Sequence, residues 1–169
     1  GDIKLIARSD LIITKFAAKL LQKHTFQQRE YMRAKIREIA RFLQQMRRRH
    51  GQMSLQDCLR PCQFRNVIAA VKSLAGYDEE TGAYEKPSLA LKVGHSLKKC
   101  ARIMKTESIL NMDKSAVEDA DRFFELCEME WGDEISSRAL QTLTDRKRNK
   151  VSLLPVSEDV AKLHKYLHD

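Results

Sequence analysis

The chain has 169 residues and a net charge of +8, with 31 Lys or Arg residues against 23 Asp or Glu residues. This length allows one domain with a proper core, and six Gly and three Pro residues among many good helix formers favour an all-α fold over a sheet protein. No apolar run approaches the roughly 20 residues that a transmembrane helix needs, which excludes a membrane-spanning segment in this sequence.

The charge is distributed unevenly along the chain. Residues 1–112 carry 22 basic residues against ten acidic ones, whereas residues 113–135 carry two basic residues against nine acidic ones. A basic body with one acidic helix suits a polyanionic partner on one side. The same pattern also fits an ordinary helical domain with solvated charged faces.

We expect a first helix that begins at Ser9 or Asp10. Its apolar residues would face inward and a line of lysines would face outward. The inward residues are Leu11, Phe16, Leu20 and Leu21, and the outward lysines are Lys15, Lys19 and Lys23.

The next helix, residues 25–51, has the strongest signal. Thr25 and Gln28 make a capping box at its start, and Gly51 is the expected stop. Its apolar stripe is Met32, Ile36, Ile39, Leu43 and Met46. A second face, at about 100–180° from Met32, presents fixed positive charge. That face carries Arg33, Arg37, Arg41 and Arg48.

Two shorter elements and a loop follow. Ser54 and Asp57 open a brief helical turn that Pro61 should end, and a helix over residues 64–76 should stop at Gly76. Residues 76–87 then form a polar loop, which is either functional or a mobile connection.

The second basic helix should begin at Ser88. Its apolar face is Leu89, Val93, Leu97, Cys100 and Met104, and its opposite face carries Lys92, His95, Lys99 and Arg102. Gly94 inside this helix predicts a close helix contact or a close ligand approach, because glycine costs about 1 kcal/mol relative to alanine there.

Residues 113–131 form an acidic helix with Asp113 as its N-cap. This helix is either a core element with a charged outer face or a docking face for a basic partner. Asp133 should cap a further helix that ends in the basic residues Arg146, Lys147, Arg148 and Lys150. That basic end fits a phosphate contact, a localisation signal or the favourable cationic end of a helix.

We expect two parts in the chain. Residues 1–150 form the helical domain, and residues 151–169 form an extended linker through Pro155 and the first helix of a following, truncated domain. The opening Gly-Asp, without a Met, is typical of an excised fragment.

No motif for catalysis or for a cofactor is present. The sequence lacks the phosphate loop, the dinucleotide fingerprint, the HExxH pair and the GxSxG elbow. Cys58 and Cys62 are separated from His164 and His168 by about one hundred residues, a spacing that does not predict a zinc site. We therefore expect no enzyme activity, no metal, no cofactor and no small-molecule substrate for this fragment.

Three stretches together resemble a family of vertebrate, especially fish, proteins related to Crypton-like tyrosine recombinases: SLALKVGHSLKKCA, SSRALQTLTDRKRNKVSLLPVSEDVAKLHKYL and the helices that precede them. The resemblance implies a SAM-like, core-binding-domain-like bundle of about seven to eight helices that takes part in DNA recombination in the nucleus. It also implies that the helices with the arginine and lysine faces contact DNA. No His-x-x-Arg pair is present, so Tyr31, Tyr77, Tyr84 and Tyr166 have no activating cluster.

The resulting interpretation is a non-catalytic, transposon-derived DNA-binding domain that grips duplex phosphates with two basic helix faces. The predicted DNA-binding residues are Arg33, Arg37, Arg41, Arg48, Lys92, His95, Lys99 and Arg102. The alternative is a protein-interaction module of a nuclear or chromatin protein that uses the acidic helix 113–131 or the C-terminal helix. A membrane-surface role is disfavoured because the basic faces lack an apolar band beside them.

Overall fold

The structure, a computed structural model, describes the backbone of residues 1–154 and the side chains of residues 1–150. These residues form an all-helical bundle, which confirms the expected fold class. The helices are α1 (Asp2–Ser9), α2 (Leu11–Lys23), α3 (Arg29–His50), the single turn α4 (Leu55–Cys58), α5 (Phe64–Leu74), α6 (Pro87–Leu110), α7 (Lys114–Trp131) and α8 (Ser137–Leu154).

The central element is α6, which packs against α2, α3, α5, α7 and α8. Eleven of its residues are buried, among them Val93, Leu97 and Cys100. The core on either side includes Phe42 of α3 and Phe123 of α7, both fully buried. Because α6 is enclosed by so many neighbours, only a narrow strip of its surface reaches solvent.

The N-terminal region differs from the sequence-based expectation. An additional helix, α1, precedes Asp10, and Leu11 and Leu21 are exposed instead of buried. Ile12 and Ile13 take the inward positions. The α2 sequence is apolar on more than one side, so its own periodicity does not decide which side meets α3 and α6.

Asp10 joins two parts of the fold. One carboxylate oxygen accepts a hydrogen bond from the Ile13 backbone N–H at 3.0 Å and so caps α2, which confirms that position as an N-cap. The other oxygen accepts from the Leu55 N–H at 2.9 Å and so holds the start of α4. One buried carboxylate therefore binds the start of its own helix and a donor 45 positions further along the chain.

The arginine-rich helix ends at Gly51 as predicted, but its α-helical part begins at Arg29, four residues after Thr25. The capping box of Thr25 and Gln28 is formed at a short 3₁₀ turn, Phe26–Gln28, that leads into α3. Gly51 ends the helix with a φ of +86°, a conformation that glycine adopts without steric cost. The expected stripe of apolar residues is buried, except that Ile36 is half-buried.

The stretch between α3 and α6 contains a second confirmed capping box, Ser54 with Asp57, before α4. A 3₁₀ turn, Pro61–Gln63, begins at Pro61 and leads into α5. The polar loop that follows is held in place: Gly76, at a φ of +67°, accepts a hydrogen bond from the Glu85 N–H at 3.0 Å, and Tyr84 is buried. The loop thus belongs to the packed structure.

The start of α6 was predicted wrongly. Pro87 is its first residue and Lys86 its N-cap, so Ser88 is not the cap. Proline suits the first helical position because its φ is already helical and its missing N–H would have no partner there. Gly94 makes the expected close helix contact, with the indole of Trp131 on α7.

Asp113 caps α7, as predicted, by accepting from the Ala116 N–H at 3.1 Å. Asp133, in contrast, caps nothing, because a π-helical turn, Gly132–Ser136, carries the chain directly from α7 into α8. Residues 151–154 are helical, which corrects the expected extended linker there. The expected final helix, residues 157–169, lies outside the described residues.

Candidate nucleic-acid interface

The solvent-facing strip of α6 carries the predicted basic residues. Lys92, His95, Lys99 and Arg102 are all exposed, while the apolar positions between them are buried. From Lys92 to Arg102 the helix rises about 15 Å, so this strip presents cations along one line of that length.

A groove beside this strip adds lysines from a second helix. It has a volume of about 180 Å³ and lies between α2 and α6. Its walls are Lys19 and Lys23 of α2 and Lys99 and Arg102 of α6. Its apolar part is formed by Phe16, Leu20, Ile103 and the methyl-bearing Thr106. The two helices therefore bring four cations to one depression.

Lys35 of α3 belongs to the same region. Partial burial lowers the pKa of its ammonium group, and the positive charges of Lys92 and Lys99 lower it further, whereas Glu38 opposes both effects. Since α3 packs against α6, this effect of Lys92 and Lys99 agrees with a position of Lys35 on the same side of the bundle as the α6 strip. We call the set of Lys19, Lys23, Lys35, Lys92, Lys99 and Arg102, together with His95, the α2–α6 basic surface.

The neighbouring lysines are already paired, which distinguishes them from the members of this surface. The distance from the lysine Nζ to the nearest carboxylate oxygen is 3.7 Å for Lys15 and Glu107, 3.0 Å for Lys98 and Glu128, and 2.8 Å for Lys105 and Asp121. Within residues 1–150, no carboxylate lies within 4.0 Å of any of the six cations of the basic surface.

Arg102 makes a contact of another kind. Its guanidinium carbon lies 4.7 Å from the centroid of the Phe124 ring on α7. A cation–π contact orients the side chain but leaves its N–H donors available. Arg102 is therefore held in position at the end of the strip.

His95 differs from its lysine neighbours in charge. Its pKa is lowered, first by desolvation and then by the nearby charges of Lys98, Lys35 and Lys99. The imidazole is accordingly neutral at pH 7, with one N–H to donate. It contributes a hydrogen-bond donor instead of a fixed charge.

The four predicted arginines of α3 are exposed but lie on a different side of that helix. Measured around the helix axis, they are about 120–160° from Lys35, which faces α6. These residues are Arg33, Arg37, Arg41 and Arg48. The structure thus brings the four predicted α6 residues together with α2 and Lys35, and it leaves the arginines on a separate face.

The acidic helix has mostly internal partners. Asp119 pairs with Arg60 at 3.2 Å, and Glu118 and Glu125 both bind Arg122 on the same helix. Glu128 and Asp121 bind the lysines of α6 described above. These carboxylates act mainly as counter-charges for the bundle, which agrees with the interpretation of α7 as a core helix with a charged outer face.

The basic end of α8 is partly used for structure. The Arg146 guanidinium donates to the backbone oxygens of Tyr84 and Glu85, at 3.0 and 2.9 Å. Thr142 supports the same loop by accepting from the Tyr84 N–H at 3.1 Å. Arg146 is therefore a brace for the loop between α5 and α6.

The remaining chemistry-bearing residues do not cluster. Burial is the largest cause of the raised pKa of Cys58 and of Cys127, each to about 12, so both thiols stay protonated at neutral pH. No group of three or more potential metal ligands occurs among the residues that the structure describes.

The DNA-binding residues predicted from the sequence did not include Lys19, Lys23 and Lys35. A signal for the first two was present, since Lys15, Lys19 and Lys23 form an outward line at intervals of four residues. The packing of α2 against α6, which turns that line into part of a shared surface, is a long-range contact that the local pattern does not contain.

None of the helices within residues 1–154 has the length and apolarity that crossing a bilayer requires. Comparisons of the chain with protein-family models, with curated proteins and with solved structures found no match.

Proposed function

We propose that this chain is a non-catalytic helical DNA-binding domain that holds the phosphate backbone of duplex DNA on its α2–α6 basic surface. The observation that carries this proposal is the groove at which four cationic side chains of α2 and α6 meet, with Lys92 on the same face of α6. Lys35 of α3, a helix that packs against α6, completes the set of six cations. None of the six has a carboxylate within 4.0 Å among residues 1–150, so no ion pair in that part of the chain neutralises their charge.

Exposed lysines without a carboxylate partner bind phosphate chiefly through their charge. Each contact releases counterions from DNA, and six contacts weaken binding roughly a thousandfold between 50 and 200 mM salt. Such contacts set the position of the protein on the duplex but read little of its sequence. Arg102, with several donors in a fixed plane, and neutral His95 are the members suited to a directional hydrogen bond.

The arrangement favours binding because the helix that carries half of the cations, α6, is firmly packed. The residues that alternate with the cations on α6, such as Val93 and Leu97, are fully buried. Each lysine stem is thus attached to a backbone that does not need to be ordered when DNA binds, and the ordering cost is confined to the side chains. The arginines Arg37, Arg41 and Arg48 face elsewhere and lie outside this contact in our proposal.

The broader setting is also a proposal. The resemblance of the sequence to Crypton-like tyrosine recombinases supports a role as the core-binding-like part of a transposon-derived protein that acts on DNA in the nucleus. In that setting, the catalytic residues either lie in another part of the protein or have been lost.

Matched charge reversals test the DNA-binding proposal. Lys99→Glu and Arg37→Glu change the net charge equally, and both residues are exposed. In fluorescence anisotropy with a labelled blunt duplex at low salt, we expect Lys99→Glu to weaken binding at least about tenfold and Arg37→Glu to weaken it much less. Equal losses in the two variants, or duplex binding that is absent in the unmodified chain, would refute the proposed surface.

A further inference from the structure

The corner between α2 and α3 carries exposed apolar side chains that the fold does not require. Phe26 is 77% exposed and Leu21 is 66% exposed. They lie on a groove of about 450 Å³, a volume within the usual range for pockets that hold organic groups. Met32 and Ile36 of α3 also line it. The apolar side chains thus form a contiguous patch, which marks a binding surface more often than a scattered one does.

The groove is basic as well as apolar. Arg29 and Arg33 line it together with His24. Residues 19–37 contain six Lys or Arg residues and one acidic residue, Glu30. Arg33 binds Glu30 at 3.0 Å, but both side chains are well exposed, and an exposed pair of this kind is weak enough to exchange for another anion. The groove therefore suits a ligand that has an apolar, flat part and negative charges beside it.

Phe26 is presented by a rigid turn. It lies between the two partners of the capping box, Thr25 and Gln28. Gln28 is fixed further by His24, whose ring nitrogen lies 3.1 Å from the amide oxygen. The Arg29 guanidinium carbon lies 4.7 Å from the centroid of the Phe26 ring. These hydrogen bonds order the backbone that carries the exposed ring, so the ordering cost on binding is confined to side chains.

The corner adjoins the α2–α6 basic surface at His24, and its Arg33 lies beyond that point, on the other face of α3. Lys23 lines the groove between α2 and α6, and the next residue, His24, lines the groove at the corner. The centroids of the His24 and Tyr31 rings are 5.1 Å apart. The Nζ atom of Lys35, a member of the basic surface, lies 5.5 Å from the centroid of the Tyr31 ring. A nucleic-acid strand that leaves the basic surface would therefore meet aromatic rings and cations together.

We propose that the α2–α3 corner binds a single-stranded extension of the DNA, with an unpaired base stacked on Phe26 and the adjoining phosphates at Arg29 and Arg33. Exposed rings interleaved with cations are the arrangement that binds single strands without sequence choice. This proposal rests on the proposed function, because the duplex on the α2–α6 surface brings the extension to the corner. The domain would thus prefer a junction between duplex and single strand over a blunt duplex.

The test compares two labelled DNAs of the same duplex sequence, one blunt and one with a short single-stranded extension, by fluorescence anisotropy. We expect the extension to tighten binding about tenfold, the effect of one stacked base. Phe26→Leu keeps an apolar side chain but removes the ring, and we expect it to bring the affinity for the extended DNA close to that for the blunt duplex. Phe26→Trp should preserve the preference. Leu110→Ala, a change at another exposed apolar residue, should leave the ratio as it is.

The outcomes separate this proposal from the one on which it rests. In one outcome, the protein binds blunt duplex through Lys99 but shows no preference for the extension. This result overturns the corner site and leaves the proposed function intact. A preference that Phe26→Leu retains also overturns it. Binding of an acidic amphipathic peptide at the corner, together with no effect of the extension, also overturns it, since the groove would then serve a protein partner. Absence of any DNA binding refutes both proposals.

Discussion

Gly94 of α6 lies against the indole ring of Trp131 on α7. A Cβ atom built on Gly94 would lie 2.6 Å from Cε2 of that ring, closer than real Cβ contacts come. Trp131 is buried, so its ring cannot swing out into solvent without exposing apolar surface. This contact sets how closely the basic helix approaches the acidic one.

Gly94→Ala should therefore destabilise the domain. Overpacking typically costs 1–3 kcal/mol, and alanine regains up to about 1 kcal/mol of helix propensity, so we expect a net loss of about 1–2 kcal/mol in the free energy of unfolding. Gly132→Ala is the matched control, because its backbone is helical and no atom lies within 4 Å of the added Cβ. Urea unfolding at constant m-value measures both. A Gly94→Ala variant as stable as Gly132→Ala would show that the two helices do not meet as described.

Asp10 should matter more than an ordinary N-cap. Its carboxylate holds the Ile13 N–H and, across the fold, the Leu55 N–H. Asp10→Ala removes a cap and leaves a buried donor without a partner, which together cost about 2–4 kcal/mol. Asp113→Ala, which removes a cap at an exposed position, should cost about 1 kcal/mol. Thermal and urea unfolding compare the two variants, and equal losses would contradict the long-range role of Asp10.

Arg146 should stabilise the loop between α5 and α6. Its guanidinium donates to two backbone oxygens, so Arg146→Ala should cost about 1–2 kcal/mol in the free energy of unfolding. Arg148 is the control, since its nearest carboxylate, on Asp145, is 3.9 Å away and both side chains are exposed. Arg148→Ala should change stability by less than about 0.5 kcal/mol. If both variants unfold at the same urea concentration, Arg146 does not brace the loop.

The affinity for DNA should increase as the pH falls below 7. The pKa of His95 in the free domain is lowered by desolvation and by Lys98, Lys35 and Lys99, so the imidazole is neutral at pH 7. A nearby phosphate favours the protonated ring and raises this pKa, so binding takes up a proton and tightens as the pH falls through the raised value. His95→Gln should remove that part of the increase. Anisotropy titrations between pH 5.5 and 8 compare the two proteins, and the same pH dependence in both would exclude a phosphate near His95.

The same lowered pKa makes the free domain less stable as the pH falls, whereas the affinity for DNA increases. The unfolded chain binds the His95 proton more readily than the folded domain does. The contribution of neutral His95 to the free energy of unfolding is therefore fully present above the ordinary pKa of about 6.5, and it is lost as the pH falls through the lowered pKa of the folded domain. Unfolding of the protein with and without DNA at pH 6 therefore separates the two effects of His95.

The features that the sequence predicted correctly are local ones. The two capping boxes, Thr25 with Gln28 and Ser54 with Asp57, each involve residues three positions apart, and both form as expected. The inward and outward faces of α6 follow from helical periodicity in the same way.

The features that were missed depend on contacts between distant segments. Leu11 and Leu21 are exposed because the packing of α2 against α3 and α6, not its own pattern, selects the buried side. The α3 arginines lie about 120–160° around the helix from Lys35, and the packing of α3 against α2, α5 and α6 decides which of its faces meets the α6 lysines. Asp133, although a good capping residue, lies in a π-helical turn that keeps the helix continuous.

The most direct test of the α2–α6 basic surface is the salt dependence of duplex binding, since its slope counts the phosphates that are contacted. A plot of log affinity against log salt concentration should fall with a slope of about −5 for six contacts, and Lys99→Gln should reduce the size of that slope by about 1. Arg37→Gln, on the other face of α3, should leave the slope unchanged. A slope near zero, or an equal reduction in both variants, would contradict the central claim that the cations of α2, α3 and α6 form one phosphate-binding surface.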